Sequence, residues 1–198
     1  MKFAKSFLAL FSIFLGLIFS SPLLAAKEVQ PPAIIPISML ESGEILTTKI
    51  LISDHRVYYF SLRFNYKIND QADRSRVRLL VGGYEKDQNN KVIEPGIPTP
   101  IGLSIFRVDG EQEVEVFRKD MDPILTAWGG DSFIKQIGFT ELNPGLYILH
   151  LHLLQAAPAF KGTPTTFSIG FDNFKMNFNS KQRVDNIMPD DNLLHQTL

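Results

Sequence analysis

The chain has 198 residues, with 20 Lys plus Arg against 21 Asp plus Glu and no cysteine. That balance leaves no global positive charge to displace counterions from phosphate, which argues against nucleic acid as a partner. Zero cysteine excludes disulfide scaffolds, Cys-ligated zinc or iron–sulfur centres, thiol nucleophiles and lipid attachment to a thiol.

Residues 1–26 read as a cleavable signal peptide. Lys2 and Lys5 form a positive start, and Ser6 to Phe19 is an apolar run. Ser20, Ser21 and Pro22 break the run, and Ala25-Ala26 offer small residues for cleavage. The apolar run is shorter than the ~20 residues of a spanning helix, so cleavage is favoured over an uncleaved anchor. No later stretch is long and apolar enough to span a bilayer. The expected product is periplasmic or secreted, with no membrane span after cleavage. Removing Lys2 and Lys5 leaves 18 basic against 21 acidic residues, a formal charge of -3.

Residues 27–39 hold Pro31, Pro32 and Pro36 and read as an extended lead-in. Strand signals follow. Ile45 to Ile52 is rich in Ile, Leu and Thr. From Tyr58 the pattern alternates, with Tyr58, Phe60, Leu62 and Phe64 on one face and Ser61 and Arg63 on the other. One helix interrupts the strands. Asp70 suits its N-cap, Val77, Leu80 and Val81 share an apolar side, and Gly82-Gly83 ends it. A turn-rich loop runs through Glu94-Pro95-Gly96-Ile97-Pro98-Thr99-Pro100. Ile101–Val108 and Glu113–Arg118 are strands joined at Asp109-Gly110, a hairpin signal. Ala127 to Asp131 reads as a loop. Phe133–Leu142, Leu146–Leu154 and Thr165–Phe171 read as further strands.

The fold class is therefore mainly β: an antiparallel β-sandwich, immunoglobulin-like or jelly-roll-like, with one inserted α-helix near residues 70–82. The sandwich is placed at residues 40–172. Residues 173–198, rich in Asn and Asp, read as a polar C-terminal extension.

Four groups of residues could carry function. Arg74, Arg76 and Arg78 could present an anion-binding face, since guanidinium forks suit carboxylate and phosphate. The competing reading is pairing within the helix, Asp70 with Arg74 and Asp73 with Arg76, on a solvated face. Trp128, beside Gly129, Gly130 and Asp131, could stack on a sugar or anchor a partner, with Tyr84 as a second stacking residue. Alternatively Trp128 folds back over the core. His150 and His152 share one strand face and could begin a metal site, or stand half-exposed on a solvent face. Glu111, Glu113 and Glu115 share another face and mark an outward surface. No nucleophile elbow, phosphate loop, dinucleotide fingerprint or zincin motif is present, and no cofactor is implied.

Six separated motifs recur in one order: His55 to Phe64; Asp73-Arg74-Ser75-Arg76-Val77 with Val81-Gly82; Glu94 to Pro100; Trp128 to Phe133; Leu142 to Tyr147; and Gly162-Thr163-Pro164 with Ile169-Gly170-Phe171. Together they resemble a family of exported proteobacterial proteins, domain of unknown function 5625, over residues 40–172. The resemblance implies a β-rich exported domain and transfers no activity. Members of that family can look like lipoproteins, and this chain departs from them in having no cysteine to lipidate.

The leading expectation is a non-catalytic exported domain that binds an envelope protein or glycan through Arg74, Arg76, Arg78, Trp128 and Asp131. A carbohydrate-binding module using Trp128 and Tyr84 is one alternative. A metal-dependent enzyme using His150 and His152 is the other.

Overall fold

The strand alternation closes into two stacked sheets. The computed structural model describes residues 28–171; the expected signal peptide and C-terminal extension lie outside them. One sheet runs in the order β1 (Glu28–Val29), β3 (Gly43–Ile52), β9 (Gly145–Leu153), β5 (Ile101–Asp109), β6 (Gln112–Met121). The other runs β2 (Ala33–Ile37), β10 (Thr165–Phe171), β4 (Arg56–Asn65), β8 (Ser132–Leu142), β7 (Leu125–Gly129). The short β1–β3 pair is parallel and the remaining ladders are antiparallel. The described residues form a β-sandwich with one α-helix, α1 (Gln71–Val81), inserted between β4 and β5.

Burial follows the expected phase. Tyr58, Phe60, Leu62 and Phe64 of β4 face inward and meet Tyr147, Leu149, Leu151 and Leu153 of β9 and Ile101, Leu103 and Ile105 of β5. Ring contacts fill the layer: Phe60 stacks on Phe167 at 6.3 Å and Phe64 lies 4.7 Å from Phe160. Each such side chain contributes about 1.5–3 kcal/mol on leaving water, which is what holds a cysteine-free domain together.

Three segments differ from the sequence reading. The Pro-rich lead-in supplies β1 and β2, the latter paired with β10 from Ala33 to Ile37. Residues 125–129 form strand β7, with the turn confined to Gly130-Asp131, where Gly130 has φ 59°. Trp128 is thus on a strand opposite Phe133, not on a loop. Finally, β6 extends to Met121. It is an edge strand with Glu113 and Glu115 on a largely exposed surface, where charge guards the unpaired side.

The helix has the expected bounds. The Asp70 carboxylate accepts from Asp73 N at 2.9 Å, and Asp73 in turn accepts from Lys67 N at 2.8 Å. Val77 and Val81 are buried against the sandwich. The C-terminus is held by a backbone seam. Gly83 N donates to Glu94 O at 2.6 Å and Ile97 N donates to Leu80 O at 2.8 Å. Gly82 (φ 86°) and Gly96 (φ 67°) face each other so closely that a Cβ on either would lie 2.5 Å from the other segment's backbone. Only glycine meets both demands.

Candidate functional site

At the β7 end of its sheet, α1, the residues after the seam and β7 enclose a groove of about 210 Å3. Gln71, Arg74, Ser75 and Arg78 line it from the helix, because positions 71, 74, 75 and 78 fall on one helical face. Tyr84 and Glu85 line it from the post-helix segment, and Trp128 and Phe133 from the β7–β8 hairpin. The Trp128 and Tyr84 rings stack at 5.3 Å and 21°. Tyr84 is positioned by the seam before it and by a small bridge after it, in which Ile93 N donates to Glu85 O and Lys86 pairs with Val92.

The two groove arginines are not equivalent. Arg78 donates to Glu94 at 3.3 Å. Arg74 has no carboxylate within ion-pair distance among the described residues; its guanidinium lies over the Tyr66 ring at 5.9 Å. The reason is Asp70. At i−4 it was an expected partner of Arg74, but it serves as the N-cap instead. Arg74 also borders a second, smaller depression with Tyr66, Lys67 and Asn69.

Of the sequence-derived candidates, Arg74, Arg78, Trp128 and Tyr84 converge. Arg76 stands outside the groove: it donates to Asp73 at 2.8 Å and to Thr163 Oγ1 at 2.9 Å, tying α1 to the loop before β10. These contacts, led by the Lys67 backbone N–H and followed by Arg76, hold the Asp73 carboxyl below its usual range. Asp131 also lies outside; its backbone carbonyl accepts from Tyr66 N at 2.8 Å. The 95–100 loop clamps the helix and does not line the groove.

His150 and His152 project together from the outer face of β9, with ring centroids 6.5 Å apart. Both turn to Glu44 of β3: His150 Nδ1 lies 3.0 Å from its carboxylate and His152 Nε2 lies 3.8 Å away. Thr47 Oγ1 also reaches His150 Nδ1 at 3.0 Å. Hydrogen bonds from Thr47 and His150 lower the Glu44 pKa, the Thr47 contribution being the larger. Among the described residues no group of three His, Cys, Asp or Glu side chains is arranged to hold a metal ion.

The sequence reading overlooked Lys135. It points into the sandwich from β8 and is only 1% exposed. Its ammonium donates to buried Thr99 Oγ1 at 3.2 Å and lies 5.8 Å from the Phe64 ring centroid. The Thr99 N–H donates to Asp122 at 2.7 Å. Burial pushes the Lys135 pKa down to about 8, against a smaller opposing pull from Asp122. The signal was its parity with Phe133 and Ile137, which are core residues.

A family model described as a domain of unknown function (DUF5625) matches residues 34–171. The chain belongs to this family. No curated protein matches the sequence. Among solved structures, this DUF5625 domain is similar to a crystal structure of a protein from Sulfurospirillum deleyianum. The TM-score is 0.57 and the identity 17%, over 72% of this chain and 98% of that one. At that identity the likeness is one of fold. A pre-peptidase C-terminal domain of a collagenase from Bacillus anthracis aligns at TM-score 0.29 and 9% identity, over 73% of this chain and 93% of that one. A beta-glucosidase from Paenibacillus barengoltzii aligns at TM-score 0.30 and 11% identity, over 73% of this chain and 11% of that one. Neither of the last two carries an argument about this domain.

Proposed function

We propose that this DUF5625 domain is a non-catalytic binding module of the bacterial cell envelope, and that the α1–β7 groove is its binding surface. One observation carries the reading. The helix, the segment that follows it and the distant β7–β8 hairpin bring a guanidinium with no described carboxylate partner, a stacked Trp–Tyr pair and a polar helix face around one concavity. Concave sites with an apolar wall and a few placed polar groups are where ligands bind, and Trp, Tyr and Arg are the residues that most often anchor interfaces. Export by the 1–26 leader supplies the envelope setting. The non-catalytic assignment rests on the sequence, which carries no catalytic motif.

A glycan-binding module is the second reading, favoured by Trp128 and Tyr84 lining the same groove. Their rings already face each other, so only the remaining faces and edges are open to a sugar. The metal-dependent alternative at His150 and His152 has Glu44 against both rings and no metal-holding group among the described residues to favour it.

The test is a photo-crosslinker at Ser75, on the groove rim, in protein exported by its native host. An envelope partner should be captured, and Arg74→Ala or Trp128→Ala should reduce the yield at least fivefold. Capture unaffected by both substitutions would place the binding surface elsewhere.

A further inference from the structure

We infer that the groove takes an acidic peptide segment, the side-chain carboxylate of an Asp or Glu pairing with Arg74 while a neighbouring apolar side chain lies against Trp128. This rests on the groove being the binding surface and names what occupies it.

Four observations point there. The first is charge. Arg78 is answered by Glu94, and Asp70 is spent on the helix cap, so Arg74 has no described carboxylate within ion-pair distance, while Glu85 is the other charged group that lines the groove. Its contact with Tyr66 is to a ring and consumes none of its forked N–H donors. A carboxylate is the group that fork fits in two hydrogen bonds. The second is the wall. Trp128 and Tyr84 make a stacked slab and Phe133 a buried base, so the space beside Arg74 favours an apolar body.

The third is size. About 210 Å3 corresponds to roughly seven waters at ~30 Å3 each, below the roughly 300 Å3 where ligand pockets usually begin. That is room for one residue's side chain and its neighbour. The fourth is the backbone. A free C-terminal carboxylate is commonly captured by a nest of backbone N–H groups. Here the helix wall is residues 71–78, and Arg74 N already donates to Asp70 O. At Arg74 the anion is therefore met by the side chain, which suits an internal Asp or Glu reaching inward from an extended chain.

Trp128 is the single tryptophan of the chain, so its fluorescence reports this groove directly. The exported protein is titrated with four probes. These are a doubly capped phenylalanyl-glutamyl-glycine peptide, the same peptide with glutamine, an acetylated glycyl-phenylalanine with a free C-terminus, and an N-acetylglucosamine tetramer. The capped glutamate peptide should produce a saturable change and the glutamine peptide should bind about tenfold more weakly, the usual loss when a charge-assisted hydrogen bond is removed. Arg74→Gln, at a helix surface position, should keep the wild-type thermal midpoint and bind the two peptides equally.

Equal binding of both peptides by the wild type, or a charge preference that survives Arg74→Gln, overturns the inference. So does tighter binding of the free C-terminus, or silence from every probe. A response to the glycan alone overturns the peptide assignment and leaves the groove standing as the binding surface. Only the crosslinking result at Ser75 bears on that surface itself, so the two failures are distinguishable.

Discussion

At the scale of one residue, Lys135 is the costly choice in this sandwich. Its ammonium is buried, with Thr99 as its hydrogen-bond partner and Asp122 beyond. A fall from the usual 10.5 to about 8 corresponds to about 3 kcal/mol, charged to the folded state at neutral pH. Lys135→Met keeps the volume and removes the charge, at the expense of one hydrogen bond to Thr99 worth about 1 kcal/mol. The variant should therefore be more stable by about 2 kcal/mol at pH 7, read by urea denaturation. The sign of the pH effect follows from the same shift. Between pH 8 and 10.5 the unfolded lysine holds more protons than the folded one, so wild-type stability from this group rises with pH. The advantage of Lys135→Met should shrink across that window. A constant difference from pH 7 to 10.5 would mean that the ammonium is not desolvated in the folded protein.

At the scale of the element, α1 depends on its two ends. Asp70→Ala removes the N-cap and should cost about 1 kcal/mol, read by urea denaturation. Gly96→Ala forces a side chain into a positive-φ position and against the Gly82 backbone. It should cost about 2 kcal/mol or more and lower the thermal midpoint. Because the seam also positions Tyr84, the Trp128 emission should shift in the folded Gly96→Ala protein. The helix was legible because cap, apolar side and Gly82-Gly83 stop are all local. So were β4 and β9, whose inward faces are uninterrupted. Strand β8 was legible as a strand, but its inward face was not. A bulge opposite Phe60 and Ser61 breaks its phase, and a lysine stands at one of its core positions. Strand β7 was hidden by Trp128-Gly129-Gly130, which has turn composition although the turn itself is Gly130-Asp131. The convergence of Arg74, Tyr84 and Trp128 sets the helix and the segment after it against the distant β7–β8 hairpin, and Glu44 reaches His150 from 106 residues away. No local pattern carries such pairings.

At the scale of the whole molecule, both sheets share one core, and that core is closed by packing and ladder hydrogen bonds alone. Unfolding should be a single transition, with far-UV circular dichroism and Trp128 fluorescence superimposing along the denaturant axis. Divergence of the two curves would show that the β7 end loosens separately. Reducing agent should leave the thermal midpoint unchanged. The sandwich pairs distant segments, β3 with β9 and β10 with both β2 and β4, so refolding should take milliseconds to seconds as in other domains of non-local topology.

The seam between Gly82-Gly83 and Glu94-Pro95-Gly96 divides the groove into a permanent and an exchangeable half. Residues 84–93 form a loop whose two feet are locked together by backbone, so the loop's interior is uncoupled from the register of the sheets. Tyr84 and Glu85 belong to that interior; Arg74, Arg78 and Trp128 do not. A loop of another length or composition can therefore be grafted onto the same feet. The arrangement is that of a fixed handle with a replaceable blade, one that can change without reworking the core.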